Sequence, residues 1–321
     1  MAIYTGSNKH LGGTEYARGK EQYFYGLVQI NVLVTGGYGQ LGKELKLCSE
    51  QTNSVFRFIF TDADTLDITD RQQVEDFVER HSVRYIVNCA AYTAVDKAES
   101  DEALCYKINC EGPANLAVAA SKNGCRLIHV STDYVFDGQA SKPYTEGDAT
   151  NPRSVYGKTK LQGEQAILKN VPDAVIVRTA WLYSAFGKNF VKTMLQLMHD
   201  RSDLNIVADQ RGTPTYAADL AEMIVHIMEQ AEQLEWKPGI YHFTNQGETT
   251  WFGFAEKIKE MAQIDSCRLH PVTTAEYPTA AVRPAYSVLD KSKIESAFHV
   301  VIPQWEDGLK RCLKKLSEGE K

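Results

Sequence analysis

The chain has 321 residues and a formal net charge of −6 at pH 7, and this length predicts one large domain or two intertwined ones. The sequence has no basic stripe of the kind that binds nucleic acid and no apolar run long enough to cross a bilayer. We therefore expect neither a nucleic-acid nor a membrane partner. None of the seven cysteines forms a Cys-x-x-Cys pair, which predicts reduced thiols in a cytoplasmic protein rather than a zinc site.

The first part of the chain, residues 1–29, has no steady hydrophobic period and lacks the compact apolar region of a signal peptide. We expect it to be an extension outside the fold, which begins near Ile30. From that point, six short runs rich in apolar and β-branched residues predict buried strands. In chain order these runs are INVLVTG, VFRFIFTD, RYIVNCAA, CRLIHVSTD, DAVIVRTAW and LNIVADQ.

Helix-like segments separate the predicted strands. The segment DRQQVEDFVERH begins with Asp70, a residue type typical of helix N-caps, and EGPANLAVAASKNG ends with Gly124, a typical C-cap. Strands that alternate with helices of this length predict right-handed β-α-β crossovers. The six runs together therefore indicate an α/β protein with a Rossmann-type, doubly wound parallel sheet.

The turn after the first predicted strand, VTGGYGQLGKEL, carries glycines at Gly36, Gly39 and Gly42. This spacing is typical of a tight turn whose amides and following helix N-terminus face a pyrophosphate. Asp62 ends the second strand, where a carboxylate can bind the ribose of a dinucleotide. The alternative is a plain glycine-rich β-α turn. We predict that the following residues of this region contact the cofactor: Gly36, Tyr38, Gly39, Gln40, Leu41, Gly42, Asp62, Asp67 and Ile68.

The sequence leaves the choice of dinucleotide open. A carboxylate at Asp62 repels the 2′-phosphate of NADPH, and no arginine stands in the loop after it, so this position favours NADH. Asp67 and Ile68 are placed to reach the adenine of either cofactor. We therefore expect NADH or NADPH.

The segment SVYGKTK places Tyr156 and Lys160 four residues apart, hence on one face of a helix. A nearby ammonium group favours the phenolate and so lowers a tyrosine pKa from about 10. Ser131 and Thr132 end the fourth strand, at the edge where such sheets bind ligands. The alternatives are a surface Tyr-Lys pair and hydroxyls that cap a turn. The three features occur in the order expected of an active site.

The chain alternates less regularly after about Ala180, which predicts a smaller C-terminal lobe. We assign residues 30–180 and about 204–245 to a dinucleotide-binding domain. Residues about 181–203 and 246–321 are assigned to the lobe.

Seven segments together resemble the extended short-chain dehydrogenases/reductases and, within them, the dTDP-4-dehydrorhamnose reductases. They are TGGYGQLG, NCAAYTAVDKAE, STDYVFDG, NPRSVYGKTKLQGE, RTAWLY, DQRGTPT and RPAYSVLD. The resemblance runs from about Ile30 to the C-terminus. It implies that the lobe binds substrate and that the chain reduces the 4-keto group of dTDP-4-dehydro-6-deoxy-L-mannose to give dTDP-L-rhamnose.

The resemblance also implies roles for single residues. Tyr156 is the catalytic acid, Lys160 its electrostatic partner and ribose ligand, and Thr132 the hydroxyl that holds the sugar carbonyl, with Ser131 as a helper. Further cofactor contacts are Ala90, Ala91, Tyr92 and Asn109, the last supporting the lysine through water. Further substrate contacts are Asp133, Tyr134, Val135, Trp181 and, for the diphosphate, Arg283. For Trp181 the alternative is core packing, and for Arg283 it is a surface salt bridge.

Some relatives are dimers bridged by magnesium through glutamates, and Glu44 and Glu306 fit two of those positions. The third position is Ala218, so magnesium is doubtful and the protein is expected to be a monomer or a homodimer. Two other functions stay open. One is a nucleotide-sugar epimerase or dehydratase, although STDYVFDG lacks the Asp-Glu pair of dehydratases. The other is a non-catalytic regulatory subunit of the methionine adenosyltransferase type.

Overall fold

The computed structural model describes residues 29–51 and 55–319, so of the predicted extension only Gln29 is described. The strands are β1 (Ile30–Thr35), β2 (Phe56–Thr61), β3 (Tyr85–Asn88), β4 (Arg126–Thr132), β5 (Val175–Thr179), β6 (Leu182–Tyr183), β7 (Asp203–Val207), β8 (Arg211–Gly212), β9 (Thr215–Tyr216), β10 (Gly239–His242), β11 (Thr249–Thr250) and β12 (Arg268–Val272). The helices are α1 (Gln40–Gln51), α2 (Arg71–Arg80), α3 (Val95–Ala98), α4 (Glu102–Tyr106), α5 (Gly112–Asn123), α6 (Val155–Asn170), α7 (Phe190–Asp200), α8 (Ala217–Gln233), α9 (Trp251–Met261), α10 (Ser292–Phe298) and α11 (Trp305–Gly319). A π-helical turn, Lys107–Glu111, joins α4 to α5.

The central sheet has six parallel strands in the order β10-β5-β4-β3-β1-β2. The chain moves outward in one direction from β1 to β2 and in the other from β3 to β10. The direction reverses between β1 and β3, and open α/β sheets bind their ligands at such a switch point, beyond the carboxyl ends of the strands. The predicted doubly wound parallel sheet is confirmed.

Both faces of the sheet are covered, because alternate residues along each strand point to opposite sides. On β1, Val32 and Val34 pack with Leu220 and Ile224 of α8 in one core cluster. Leu33, between them, belongs to a second cluster formed with α2, α5 and α6. A third cluster lies in the C-terminal part of the chain. No helix among the described residues is long and apolar enough to span a membrane.

The predicted helix ends next to the sheet are confirmed. The Asp70 side chain accepts a hydrogen bond from the Gln73 amide at 3.1 Å, which satisfies one of the free N–H groups of the first turn of α2. Gly124 ends α5 with φ of 65°, a left-handed conformation that glycine adopts without steric cost. These caps set the lengths of the crossovers that carry the chain back to the same edge of the sheet.

The first five predicted strands form β1 to β5, but the prediction that LNIVADQ continues the central sheet is wrong. This run forms β7, which pairs with β12 in a separate two-stranded sheet. Its apolar residues Leu204 and Ile206 pack in the third core cluster. The place beside β5 belongs to β10, whose short sequence GIYH gives little strand signal. A β-branched run specifies a strand, whereas its partner depends on which apolar surface the strand can cover.

Candidate active site

A cleft of about 920 Å³ lies beyond the carboxyl ends of the central strands. Its walls come from the β1-α1 turn, the ends of β2 to β5, the start of α6 and segments of the chain that follow β5. Most residues predicted to bind cofactor or substrate line it: Gly36, Gly39, Gln40, Leu41, Gly42, Asp62, Asp67, Ile68, Ala90, Ala91, Ser131, Thr132, Asp133, Tyr134, Tyr156, Lys160 and Trp181. The structure thus brings together residues that are far apart in the sequence.

The glycine turn has no room for larger side chains. Gly36 has φ of 67°, and a Cβ on it would lie 2.7 Å from the Ala90 amide nitrogen. A Cβ on Gly42 would overlap the Gly36 carbonyl oxygen. The backbone is therefore exposed at the bottom of the cleft, ahead of the N-terminus of α1. This cradle fits the pyrophosphate of a dinucleotide, because the N–H groups in the first turn of a helix such as α1 lack partners within the helix and bind anions.

Asp62 joins the end of β2 to this turn. Its Oδ2 accepts a hydrogen bond from the Tyr38 amide at 3.0 Å, and its Oδ1 accepts one from the Ala63 amide at 2.9 Å. The carboxylate is therefore fixed at the cleft wall. Asp67, which also lines the cleft, accepts hydrogen bonds from the amide and hydroxyl of Thr69.

Tyr156 lies in the first turn of α6, which the Ser154 side chain caps by accepting a hydrogen bond from the Gly157 amide at 3.1 Å. A Cβ on Gly157 would overlap the Tyr134 carbonyl oxygen, so glycine is what lets α6 approach the end of β4. Burial raises the pKa of Tyr156, an effect that the facing Thr132 side chain reduces. The phenol is therefore protonated at neutral pH.

Lys160 follows one helical turn later and is 2% exposed. Its Nζ donates a hydrogen bond to the Val130 carbonyl at 2.7 Å and lies 3.3 Å from Nε2 of His129. Burial lowers the pKa of Lys160 to about 8. The lysine thus stands on the same side of α6 as Tyr156, as its spacing predicted, with its amine held against β4.

The two hydroxyls that end β4 have different partners. Thr132 Oγ1 donates to Asp133 Oδ1 at 2.9 Å and faces Tyr156. Ser131 Oγ donates to Glu164 Oε1 at 2.5 Å. Glu164 is itself paired with Arg178 through two hydrogen bonds, at 2.9 and 2.7 Å, in the protein interior. The Thr132 hydroxyl is therefore next to Tyr156 in the cleft, whereas the Ser131 hydroxyl is hydrogen-bonded to the buried Glu164–Arg178 ion pair.

Five predicted site residues do not line the cleft: Tyr38, Tyr92, Asn109, Val135 and Arg283. Tyr38 is exposed, and Val135 lies in a separate core cluster. Asn109 is buried and holds the backbone of Tyr92 through hydrogen bonds at 2.8 and 3.1 Å. Arg283 is paired with Asp96 at 2.5 Å and with the Tyr134 hydroxyl at 3.2 Å. Asn109 therefore holds the backbone of the turn after β3 in place without itself lining the cleft.

Trp251 is a cleft residue that sequence reasoning missed. Its ring stacks on that of Trp181 with centroids 3.6 Å apart and planes at 10°. Trp181 has φ of 47°, an uncommon conformation for a large residue. Both indoles line the cleft. No local pattern marks Trp251, which follows the Thr250 N-cap of α9 like an ordinary helix residue.

The described residues do not fit a bridging magnesium ion. Glu44 is buried, and its two oxygens are engaged by the Ser184 hydroxyl at 2.6 Å and by Lys315 Nζ at 2.7 Å. Ala218 offers only a methyl group, and no cluster of three ligating side chains occurs in residues 29–51 and 55–319. An ammonium group thus occupies the place beside Glu44 that a cation would need. The Glu44–Lys315 pair joins α1 to α11.

Comparisons with known proteins agree with this geometry. The dTDP-4-dehydrorhamnose reductase of Aggregatibacter actinomycetemcomitans is 41% identical over 286 residues, 87% of this chain and 97% of that protein. A solved dTDP-4-dehydrorhamnose reductase of Clostridium acetobutylicum is 41% identical with a TM-score of 0.85, covering 90% of this chain and 100% of that one. The Bacillus anthracis enzyme, solved in complex with NADP, is 39% identical with a TM-score of 0.84, covering 89% and 99%. A family model described as RmlD substrate binding domain matches residues 30–318, and the chain belongs to that family.

Proposed function

We propose that the chain reduces the 4-keto group of dTDP-4-dehydro-6-deoxy-L-mannose to dTDP-L-rhamnose, with NADPH or NADH as the cofactor. The observation that carries the proposal is the position of Tyr156. Its protonated phenol faces Thr132 in the cleft that also contains the glycine turn. Relatives that are 41% and 43% identical over 87% and 86% of the chain carry the name of this reductase.

The cofactor would lie along the carboxyl edge of the sheet. The backbone of the Gly36–Gly42 turn would hold the pyrophosphate, and Asp62 the adenosine ribose. The relative solved with NADP supports NADPH, whereas the Asp62 carboxylate favours NADH by charge. Both cofactors are therefore proposed as substrates.

The chemistry requires a proton donor beside the ketone. The bound nicotinamide supplies the hydride that reaches C4 of the sugar. Tyr156 donates its proton to the carbonyl oxygen as negative charge develops there. Thr132 orients that oxygen once its hydroxyl proton turns from Asp133 Oδ1 to the substrate. Lys160, when it carries a proton, stabilises the phenolate that remains. Acid catalysis of this kind contributes about 10²–10⁴-fold to the rate.

Substrate recognition is assigned to the C-terminal part of the chain. The stacked pair Trp181 and Trp251 offers a flat apolar wall for the sugar or the base. Asp133 and Tyr134 also line the cleft, where Asp133 bonds the Thr132 hydroxyl and the Tyr134 ring contacts that of Tyr156. Arg283 is proposed to reach the diphosphate by exchanging its bond to Asp96 for one to phosphate. The division into a dinucleotide-binding domain and a substrate lobe remains a proposal, with β7 moved to the lobe.

The assembly and location of the protein are also proposals. A metal-bridged dimer would use the Glu44 carboxylate as a ligand, but here that carboxylate is paired with Lys315 of the same chain. We therefore propose a monomer, or a homodimer formed without metal, in the cytoplasm. The molar mass from light scattering would distinguish the two assemblies, and EDTA should change neither of them.

The test is an absorbance assay of the purified protein with the dTDP-4-keto sugar and each reduced nicotinamide. Stoichiometric loss of the nicotinamide absorbance, with dTDP-L-rhamnose as the product, supports the proposal. Conversion of the sugar without nicotinamide loss would indicate an epimerase or dehydratase instead. Absence of any sugar conversion, together with tight dinucleotide binding and a co-purifying partner enzyme, would indicate the non-catalytic regulatory role.

A further inference from the structure

The loop between β6 and α7, residues 184–189 with the sequence SAFGKN, is attached to the first turns of α1. Ser184 Oγ donates a hydrogen bond to Glu44 Oε1 at 2.6 Å, and both side chains are buried. Asn189 Nδ2 donates a hydrogen bond to Gln40 Oε1 at 2.9 Å. Because Gln40 is the first residue of α1 and part of the glycine turn, the loop lies against the helix end that is proposed to bind the pyrophosphate.

The shape of this loop depends on Asn189 and Gly187. Asn189 caps α7 by accepting a hydrogen bond from the Lys192 amide at 3.1 Å, and its Nδ2 also donates to the Ser184 carbonyl at 2.7 Å. Gly187 has φ of 64°, and a Cβ on it would lie 2.9 Å from Cγ of Gln40. A side chain at Gly187 would therefore strain the backbone and press on the start of α1. These contacts keep the tip of the loop beside the glycine turn.

Lys188 lies at the tip of the loop, between the two residues that fix it. Its side chain is exposed and lines the cleft together with Gly39, Gln40 and Asn189. Within the part of the chain that the structure describes, no carboxylate is paired with Lys188. An ammonium group on a loop held against a helix N-terminus adds to the attraction of that helix end for an anion.

The two other lysines that line the cleft have different surroundings. Lys160 donates a hydrogen bond to the Val130 carbonyl, at the carboxyl end of β4. Lys107, which begins the π-helical turn, interacts electrostatically with Asp67, the residue predicted to reach the adenine. Of the three lysines, Lys188 is therefore the one on a segment that contacts the glycine turn.

We propose that Lys188 binds the pyrophosphate of the dinucleotide, and that Asn189 is a positioning residue that holds Lys188 beside the glycine turn. The pyrophosphate carries two negative charges, and an ammonium group gives it a charge-assisted hydrogen bond that neutral backbone amides do not supply. The inference deepens the proposed function. It rests on a nicotinamide dinucleotide as the cofactor, but neither on the identity of the sugar nor on turnover.

The sugar nucleotide also contains a diphosphate, so the same chemistry has a second possible source. The attachment of the loop to α1 favours the cofactor, because the glycine turn belongs to the predicted dinucleotide site. NADH and NADPH share the pyrophosphate and differ only at the adenosine 2′ position, which is assigned to the Asp62 end of the cleft. A residue that binds the pyrophosphate therefore affects both cofactors equally.

The test measures the Kd of NADH, NADPH and dTDP for wild type and Lys188→Gln by calorimetric titration, without the keto sugar. We expect the Kd of each dinucleotide to rise about tenfold in the variant and the Kd of dTDP to stay unchanged. Lys310→Gln is the matched control, because Lys310 is an exposed lysine of α11 that lines a neighbouring groove but not the cleft. It should bind all three ligands as wild type does.

The outcomes separate this inference from the proposed function. An unchanged Kd for NADH in Lys188→Gln would overturn the inference alone. Weaker binding of dTDP with unchanged binding of NADH would assign Lys188 to the sugar nucleotide and would also overturn it. A loss confined to NADPH would place Lys188 at the 2′-phosphate, with the same consequence. If wild type bound neither dinucleotide, the proposed function would fail together with the inference.

Salt distinguishes a role of the charge from a change of shape. The difference in NADH affinity between wild type and Lys188→Gln should shrink as KCl is raised from about 0.05 M to about 0.5 M, because salt screens exposed charges. Lys188→Arg keeps the charge and should retain most of the affinity. A difference that is the same at both salt concentrations, and that arginine does not restore, would contradict a role of the charge.

A double-mutant cycle tests the positioning role of Asn189. Asn189→Ala releases the loop from Gln40 and should weaken NADH binding. Because Asn189 acts through Lys188, the same change should have little further effect when Lys188→Gln is already present. Losses that simply add would show that Asn189 does not act through Lys188.

Discussion

Tyr156 and Lys160 lie on one side of α6, and burial shifts the acidities of both in the direction that removes charge. The pKa of Tyr156 is raised, and that of Lys160 is lowered to about 8. A surrounding of low polarity disfavours phenolate and ammonium alike. The free site therefore contains a protonated phenol, which suits an enzyme that reduces a ketone rather than one that oxidises an alcohol.

Asp62 should set the cofactor preference. Replacing its carboxylate in Asp62→Ser removes the charge that repels a 2′-phosphate, an effect of about 1.4 kcal/mol, toward the lower end of the roughly 1–4 kcal/mol for unit charges about 4 Å apart at a protein surface. We expect the ratio of kcat/KM for NADPH to that for NADH to rise about tenfold. Asp64→Ser, at an exposed acid that does not line the cleft, is the control. An unchanged ratio would mean that Asp62 does not contact the ribose.

Much of the site could be predicted from single residues whose signals are local. The spacing of Tyr156 and Lys160 and the glycines after β1 each sit within one short segment. Trp251 and His129 could not be found this way, because their neighbours in the site come from distant segments. The Ser131 hydroxyl was predicted to face the substrate, but its bond to Glu164 depends on how α6 packs on β4.

Helix α6 approaches its neighbours through glycines, and this contact shapes the site. Gly157 touches the carbonyl oxygen of Tyr134, and Gly163 touches that of Asn109 in the π-helical turn. A side chain at either position would collide with these carbonyl oxygens, so both positions need glycine for α6 to lie this close to its neighbours.

Gly163→Ala should therefore destabilise the protein. Its Cβ would overlap the Asn109 carbonyl, and separating α6 from this turn is expected to cost about 1–3 kcal/mol. The gain in helix propensity, about 1 kcal/mol, only partly offsets this. Urea unfolding measures the difference. Gly147→Ala, where a Cβ meets nothing closer than 4.0 Å, is the matched control, and an equal stability for the two variants would refute the contact.

The strands themselves could be predicted from the sequence, but not all of their partners could. The first five runs predicted five strands of the central sheet correctly. In this region strand, helix and strand follow one another closely, and right-handed crossovers then allow few arrangements of the strands in the sheet. The run at 203–207 was correctly predicted to be a strand but given the wrong partner. Its partner β12 is distant in the sequence, and only the third core cluster brings them together.

At the scale of the whole molecule, the last helix is tied to the first. Lys315 of α11 pairs with Glu44 of α1, whose side chain is 2% exposed. Because α1 follows the glycine turn, this pair joins the C-terminus of the chain to the proposed cofactor cradle.

Lys315→Met should leave the Glu44 carboxylate buried without its cation. Because Lys315 is partly exposed and Ser184 remains bound, we expect a loss of about 1–3 kcal/mol in unfolding free energy at pH 7. Lys314→Met, which breaks only an exposed pair with Glu318, should have little effect. Magnesium should not restore the stability of Lys315→Met. Restoration by magnesium would show that Glu44 belongs to a metal site after all.

Buried histidines should make the protein sensitive to acid. Burial lowers the pKa of His242 to about 3, so below pH 6.5 the unfolded chain binds a proton that the folded protein does not. Stability then falls by roughly 1.4 kcal/mol per pH unit for such a histidine as pH drops from 6.5 toward 3. Burial raises the pKa of Asp133 to about 6, so between pH 6 and 4 the folded protein binds a proton that the unfolded chain does not. Asp133 therefore increases the stability as the pH falls through this range.

Urea unfolding between pH 7.5 and 4.5 measures this dependence. His242→Gln should lose less stability over this interval than wild type, whereas His270→Gln, at an exposed histidine, should follow wild type. A variant His242→Gln with the full acid dependence of wild type would show that His242 does not stay neutral in the fold.

Turnover by Tyr156→Phe tests the central claim most directly. The change removes one hydroxyl group, and we expect kcat for the dTDP-4-keto sugar to fall about 10²–10⁴-fold while the Kd for the nicotinamide cofactor is unchanged. Tyr277→Phe, which alters an exposed tyrosine, should retain the wild-type rate. A near-wild-type kcat in Tyr156→Phe would contradict the assignment of Tyr156 as the acid.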